Sequence, residues 1–280
     1  MKLIDGLLNL AGLLLWLQWR GTPFPFGIRS RVGRFPSLTQ AGTTRGLRRW
    51  LCLGGVIGLL GLRAWVYWRV GSDLNWVASL NLGIVALAFN SVSLDRMLIY
   101  SFAGFGITLG VFYLWLLLLS AASRKLPEAD AWRQFVRLQL GWLAPWPGVV
   151  KLVLPLPLVS LLWCVANPGL VALGMTPPTQ STLHLVEESL VIAAGAMLAW
   201  KPLLLLVMGV HMVGSYLYLG DHSLWAFVNA VARNLLRPLR WAPLCWGKLD
   251  LAPMVAMALV YFGANFASRG LVWLYGRLPL

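Results

Sequence analysis

The residues best equipped for chemistry fall in the second half of the chain. His184, Glu187 and Glu188 stand three and four positions apart. On a helix they share one face, where an imidazole and two carboxylates could hold a metal ion. His211 and His222 could complete the set, but they lie farther down the same apolar run, with His222 at its other end. A continuous helix keeps those ends apart, so the reading is two wet glutamates at the end of a span and no metal. Lys201 falls near the middle of that run, beside Pro202. An ionisable side chain at mid-membrane is a functional candidate and needs a partner. Glu187, Glu188 or a carbonyl freed by Pro202 could serve; a helix broken at Pro202 would instead let Lys201 reach water. The third group is Arg237, Arg240, Lys248 and Asp250, isolated charges between two hydrophobic runs. They suit a binding or assembly site at a membrane surface. There is no phosphate-binding glycine loop, no G-x-S-x-G, no H-E-x-x-H and no C-x-x-C. No catalytic residue, no metal and no cofactor is expected.

The segment that carries the third group runs from Trp225 to Pro253. Trp225, Val228, Val231, Ala232, Leu235 and Leu239 recur at three- and four-residue steps, and Asn229, Arg233, Arg237 and Arg240 recur at the same steps on another face. Apolar residues on one side and arginines on the other describe a helix lying in the membrane interface. Pro238 should end or kink it. Pro253 suits the first turn of the next helix, where its missing N–H is not needed.

Composition sets the class. Of 280 residues, 59% are hydrophobic and 11% charged, against about 25% charged in an ordinary soluble domain. The chain therefore needs several membrane spans. Net charge is +14, and the cations sit in short loops between apolar runs. Orientation in the membrane accounts for them, with anionic lipid headgroups as the counter-charge. No nucleic acid is expected, because the basic runs have little aromatic interleaving. The three cysteines have neither metal-ligand spacing nor the pairing of a disulfide framework.

The chain in order reads as follows. Met1–Trp19 is a short apolar segment without a small-residue cleavage site, hence a retained span or an interfacial anchor. Residues 20–49 hold seven arginines and no acid, a basic cytoplasmic loop. Trp50–Trp68 is a span in which Arg63 should snorkel to the interface among Trp65, Tyr67 and Trp68. Leu74–Leu94 is ambiguous: a crossing, a re-entrant piece or an interfacial helix. Met97–Ser120 and Val149–Leu173 are spans. Between them Trp132, Phe135, Val136, Leu140 and Leu143 give an apolar face to a basic region. Leu183–Tyr218 is apolar for far longer than the roughly 20 residues one crossing takes. Leu251–Ser268 is the last span.

A repeat organises these pieces. At an offset of 93, Asp95 falls on Glu188, Trp132 on Trp225, Leu143 on Leu236 and Pro145 on Pro238; after a further shift of four, Lys151 falls on Lys248. Ala144 replaces Arg237 and Val153 replaces Asp250, so a polar site is expected in the second copy and not in the first. Placing all basic regions inside makes Leu183–Tyr218 one long, kinked crossing. It leaves Leu74–Leu94 outside or re-entrant and gives six crossings with both termini outside. The expected fold is an all-α polytopic membrane helix bundle with two parallel repeats of span, amphipathic helix and span. Residues 1–93 form an N-terminal membrane region, 94–173 the first repeat and 183–275 the second.

These residues carry a resemblance. Leu235-Leu236-Arg237-Pro238-Leu239-Arg240, then Gly247-Lys248-Leu249-Asp250-Leu251-Ala252-Pro253 and an apolar helix, resembles the YggT family of small bacterial and plastid membrane proteins. That family's pattern is a helix, L-x-R-P-[IL]-R, a short loop, G-x-[IL]-D-[FL]-[SA]-P and a span, often present twice. The likeness is clear over Val186–Phe266, weaker over Asp95–Trp163 and absent from the first 90 residues. His222-Ser223 stand where the family has Asn-Pro. The resemblance implies a multi-pass protein of the bacterial cytoplasmic membrane, linked to envelope organisation, division and osmotic tolerance rather than to a reaction. The expected function is non-catalytic organisation or assembly of membrane components. The partners would be anionic lipids, a membrane or cytoplasmic protein, and a second copy of the chain. The alternative is a channel or transporter with Lys201, Arg63 and the Asn-bearing segment along its pathway.

Overall fold

The computed structural model describes residues 2–21, 43–74, 77–123, 130–176, 181–217, 222–241, 245–246 and 249–278. It is almost wholly helical, in two compact units: Met1–Leu80 with Ala88–Gly110, and Asn81–Leu87 with Val111–Leu280. Five helical segments are long and apolar enough to cross a membrane: Arg49–Gly71, Leu94–Ala122, Gly148–Ala172, Thr182–Tyr216 and Ala252–Tyr275. Large apolar side chains stay uncovered on them, such as Leu161, Leu162 and Val165, or Phe262 and Phe266. Such continuous apolar faces call for an apolar solvent.

In the first unit, α1 (Lys2–Trp19) packs on α2 (Thr43–Leu74). Helix α1 is shorter than the five spanning segments. Helix α2 begins inside the segment read as a basic loop, at Thr43; residues 22–42 lie outside the described part. Val56 and Leu60 of α2 meet Phe105 of α3 (Leu94–Ala122), with Leu15 and Trp16 of α1 packed against them. Gly12 makes this approach possible: a Cβ there would stand 2.8 Å from Phe105 Cε2.

The ambiguous Leu74–Leu94 stretch is neither a span nor a helix. It is a hairpin of β1 (Val77–Asn81) and β2 (Ala86–Asn90). Leu87 and Phe89 are buried while Ala86, Ala88 and Asn90 are exposed, the two-residue period of a strand. Gly83, at φ 93°, supplies the left-handed residue of the turn, and Leu82 N–H donates to Val85 O at 2.8 Å.

The second unit holds α4 (Ala131–Leu140), α5 (Gly148–Val153), α6 (Pro155–Ala172), α7 (Thr182–Met197), α8 (Trp200–Tyr216), α9 (Ser223–Leu235) and α10 (Ala252–Tyr275). A short antiparallel pair, β3 (Cys245–Trp246) with β4 (Leu249–Asp250), precedes α10. Helix α6 packs on α7, and α10 packs on both α8 and α7.

The long run Leu183–Tyr218 is interrupted at Leu198–Ala199, between α7 and α8. Both halves meet α10 in reverse order along its length. Glu188 of α7 accepts from Tyr275. Lys201 of α8 reaches Asn265. Met208 packs on Ala256. The two halves thus run as one bent rod beside α10. The indole of Trp115, on α3, donates to the Ala199 carbonyl in the break at 2.7 Å.

Candidate functional site

The residues of the Arg237–Pro253 group lie only partly within the described part of the structure. Helix α9 ends at Leu235, as Pro238 requires, and a 3-10 turn covers Arg237–Trp241. Its buried face is Phe227, Val231 and Ala232, one step round from the expected stripe. Arg237 and Pro238 are exposed. Pro253 is fully buried in the first turn of α10. Lys248 and the side chains of Arg240 and Asp250 lie outside the described residues.

Lys201 has different partners from those expected. Its Nζ donates to Asn265 Oδ1 at 2.7 Å and stands 4.5 Å from the centre of the Tyr261 ring. Both acceptors come from α10, one turn apart, so an amide oxygen and a π face hold the ammonium. The glutamates serve elsewhere: Glu188 accepts from Tyr275, and Glu187 pairs with His184 at 3.4 Å. His211 Nδ1 bonds Asn229 Oδ1 at 3.0 Å, and His222 Nδ1 caps α9 by accepting from Leu224 N–H. No metal-binding group of His, Cys, Asp and Glu occurs among the described residues.

Arg63 does not snorkel. It is 3% exposed. Its guanidinium donates to Asp5 Oδ1 and to Asn9 Oδ1, both at 2.7 Å. Tyr67 also donates to Asp5 Oδ1, at 2.7 Å. The Tyr67 and Tyr100 rings flank the cation at 5.6 and 5.4 Å. Asp5 and Asn9 are four residues apart on α1, so one helical face presents a carboxylate and an amide together. The two terminal nitrogens are thus held by charge-assisted hydrogen bonds, while Nε is buried with no partner.

A cavity with basic side chains in its lining lies within residues 94–173. The cavity, of about 150 Å³, is lined by Ser120 and Ser123 of α3, Arg133 and Arg137 of α4, Trp146 and Lys151. Each wall has a local cause. Asp130 caps α4, its side chain accepting from Trp132 N–H at 2.8 Å. Phe135, Val136 and Leu140 bury the apolar face of α4. This leaves Arg133 and Arg137, one turn apart, beside the cavity. Gly141, at φ 55°, ends α4 and turns the chain. Gly148 of α5 lies against Ala121 of α3, close enough that a Cβ there would be in ordinary contact at 3.7 Å. That approach carries Lys151 inward.

Lys151 is 4% exposed, and its Nζ donates to Ser120 Oγ at 2.8 Å and to Ala144 O at 2.7 Å. Ser123 beside it is buried and Arg137 is exposed. The cavity thus has a buried ammonium and serine at its floor and a guanidinium at its mouth, with no carboxylate among its described lining residues. Its described lining residues include no nucleophile–base pair.

At the offset that places Trp132 on Trp225, Arg133 and Arg137 fall on Ala226 and Ala230, so only Lys151, which falls on Lys248 after the shift of four, has a cationic match. Searches against protein-family models, curated proteins and solved structures find no match for this chain.

Proposed function

We propose that the protein is a non-catalytic membrane organiser that gathers anionic lipid at one membrane surface through its basic amphipathic helices. One observation carries this reading: α4 and α9 pack against each other, each with a buried apolar face and an exposed arginine near its end. Asn234 of α9 also donates to the Ala122 carbonyl at the end of α3, which brings the end of α9 to the end of the span that precedes α4. Two basic interfacial helices side by side make a patch for anionic headgroups, worth about 1 kcal/mol per cation near the surface. The order α3, α4, α5–α6 and α7–α8, α9, α10 suits two parallel repeats, and we assign the chain to the YggT type in the bacterial cytoplasmic membrane on its Arg237–Pro253 motif.

The test is lipid selectivity. The full chain, purified in mild detergent from mixed lipid, should retain phosphatidylglycerol over phosphatidylcholine. Arg233→Gln with Arg237→Gln should lower that enrichment. Equal retention of both lipids by the wild type would remove the reading. Ion flux through proteoliposomes that disappears in Lys201→Ala would replace it with a channel.

A further inference from the structure

We propose that Lys201 marks a docking site for a membrane-spanning helix of another protein, one that carries a carboxylate at mid-membrane depth. Lys201 stands near the middle of Thr182–Tyr216, in the first turn of α8. Its partners are an amide oxygen and a ring: Asn265 Oδ1 at 2.7 Å and Tyr261 at 4.5 Å to the centroid. Both attract the ammonium, and neither carries the charge that would neutralise it. No carboxylate pairs with Lys201 among the described residues. A charge in hydrocarbon is costly unless it is paired as well as hydrogen-bonded. The other buried cation of a span, Arg63, has its carboxylate at 2.7 Å.

The spanning segments do not supply that charge at this depth. Arg49–Gly71, Gly148–Ala172 and Ala252–Tyr275 hold no acid. The acids of the other two lie at segment ends: Asp95 in the first turn of α3, and Glu187 and Glu188 in the first two turns of α7. A second copy would bring the same ends, so the counter-charge comes from a different chain.

The surface beside Lys201 suits a helix. Met254, Ala258, Tyr261 and Asn265 recur at steps of four, three and four, and so form one stripe along α10. Met254 is 50% and Tyr261 48% exposed, and Ala258 between them is exposed. Asn265, at the end of the stripe, is the residue that holds Lys201. A small residue between two large ones lets a neighbouring helix come close. A neutral helix would gain only that contact. One with an aspartate or glutamate at the level of Lys201 would also remove an unpaired charge from each side.

The experiment uses the full chain in phosphatidylcholine bilayers. The probe is a single-span polyleucine peptide with one glutamate at its centre, and the control peptide has glutamine there. Fluorescence energy transfer between labelled chain and labelled peptide reads association. The glutamate peptide should bind about tenfold more tightly than the glutamine peptide. Lys201→Met should erase that difference and Lys201→Arg should keep it, with thermal melts to show that both fold. Ala258→Leu fills the exposed stripe without entering the packed side of α10, and should weaken the glutamate peptide's binding. Equal binding of the two peptides, or a difference that survives Lys201→Met, overturns the proposal. Energy transfer between two copies of the chain that Lys201→Met removes would make this a self-association site and overturns it as well. None of these readouts depends on lipid selectivity, so this site and the organiser reading fail separately.

Discussion

Trp115 and Trp200 donate across to each other's backbone: Trp115 Nε1 to Ala199 O at 2.7 Å, and Trp200 Nε1 to Leu114 O at 2.9 Å. The first bond ties α3 to the break between α7 and α8. Each Trp→Phe change should cost about 0.5–1.5 kcal/mol. Because both bonds join the same two segments, the double change should cost other than the sum. Thermal unfolding of the four proteins in detergent reads this cycle.

Gly195 of α7 faces the turn of the hairpin. A Cβ there would lie 2.7 Å from Ile84 Cγ1, closer than packed atoms sit. Gly195→Ala should therefore destabilise by about 1–3 kcal/mol, as overpacking does. Ile84→Ala in the same chain should restore most of it. A shift in melting temperature for the single variant and its recovery in the double check the contact.

The Asp5–Arg63 pair predicts an asymmetry. Asp5→Asn leaves a guanidinium buried without its carboxylate and should cost about 3–5 kcal/mol. Replacing both partners by apolar residues, Asp5→Leu with Arg63→Met, should cost much less. A double variant as unstable as the single would show that Arg63 matters for more than charge. Expression level and unfolding temperature in detergent distinguish these outcomes.

Lys201 gives a milder case. Lys201→Met removes a cation–π contact and a charge-assisted hydrogen bond, and it leaves Asn265 without that donor. The expected loss is about 1–3 kcal/mol, and Asn265→Leu added to it should regain part. Unchanged stability in Lys201→Met would mean that the ammonium is held weakly.

Some of this was legible in the chain and some was not, for physical reasons. Apolar runs longer than a bilayer needs announce spans, and Pro238 and Pro253 mark a helix end and a helix start through their missing N–H. These signals are local. The hairpin escaped because Leu87 and Phe89 alternate with alanines, and an all-apolar stretch hides a period of two. The partners of Arg63 escaped because Asp5 lies 58 residues away, and spacing along one helix cannot reveal a neighbour on another. The partners of Lys201 were not legible, because Asn265 and Tyr261 are neutral and carry no charge to look for. The cavity escaped because its cations come from one face of α4 and from α5, positions that a pairwise offset treats separately.

The burial of Arg63 also orders the making of the protein. Asp5 and Asn9 leave the ribosome well before Arg63, so α1 meets the membrane with a carboxyl group and an amide whose partner has not yet been made. Burying those groups without Arg63 would cost a few kcal/mol. A chain stalled before Arg63 should therefore leave α1 at the membrane surface, within reach of aqueous labelling reagents.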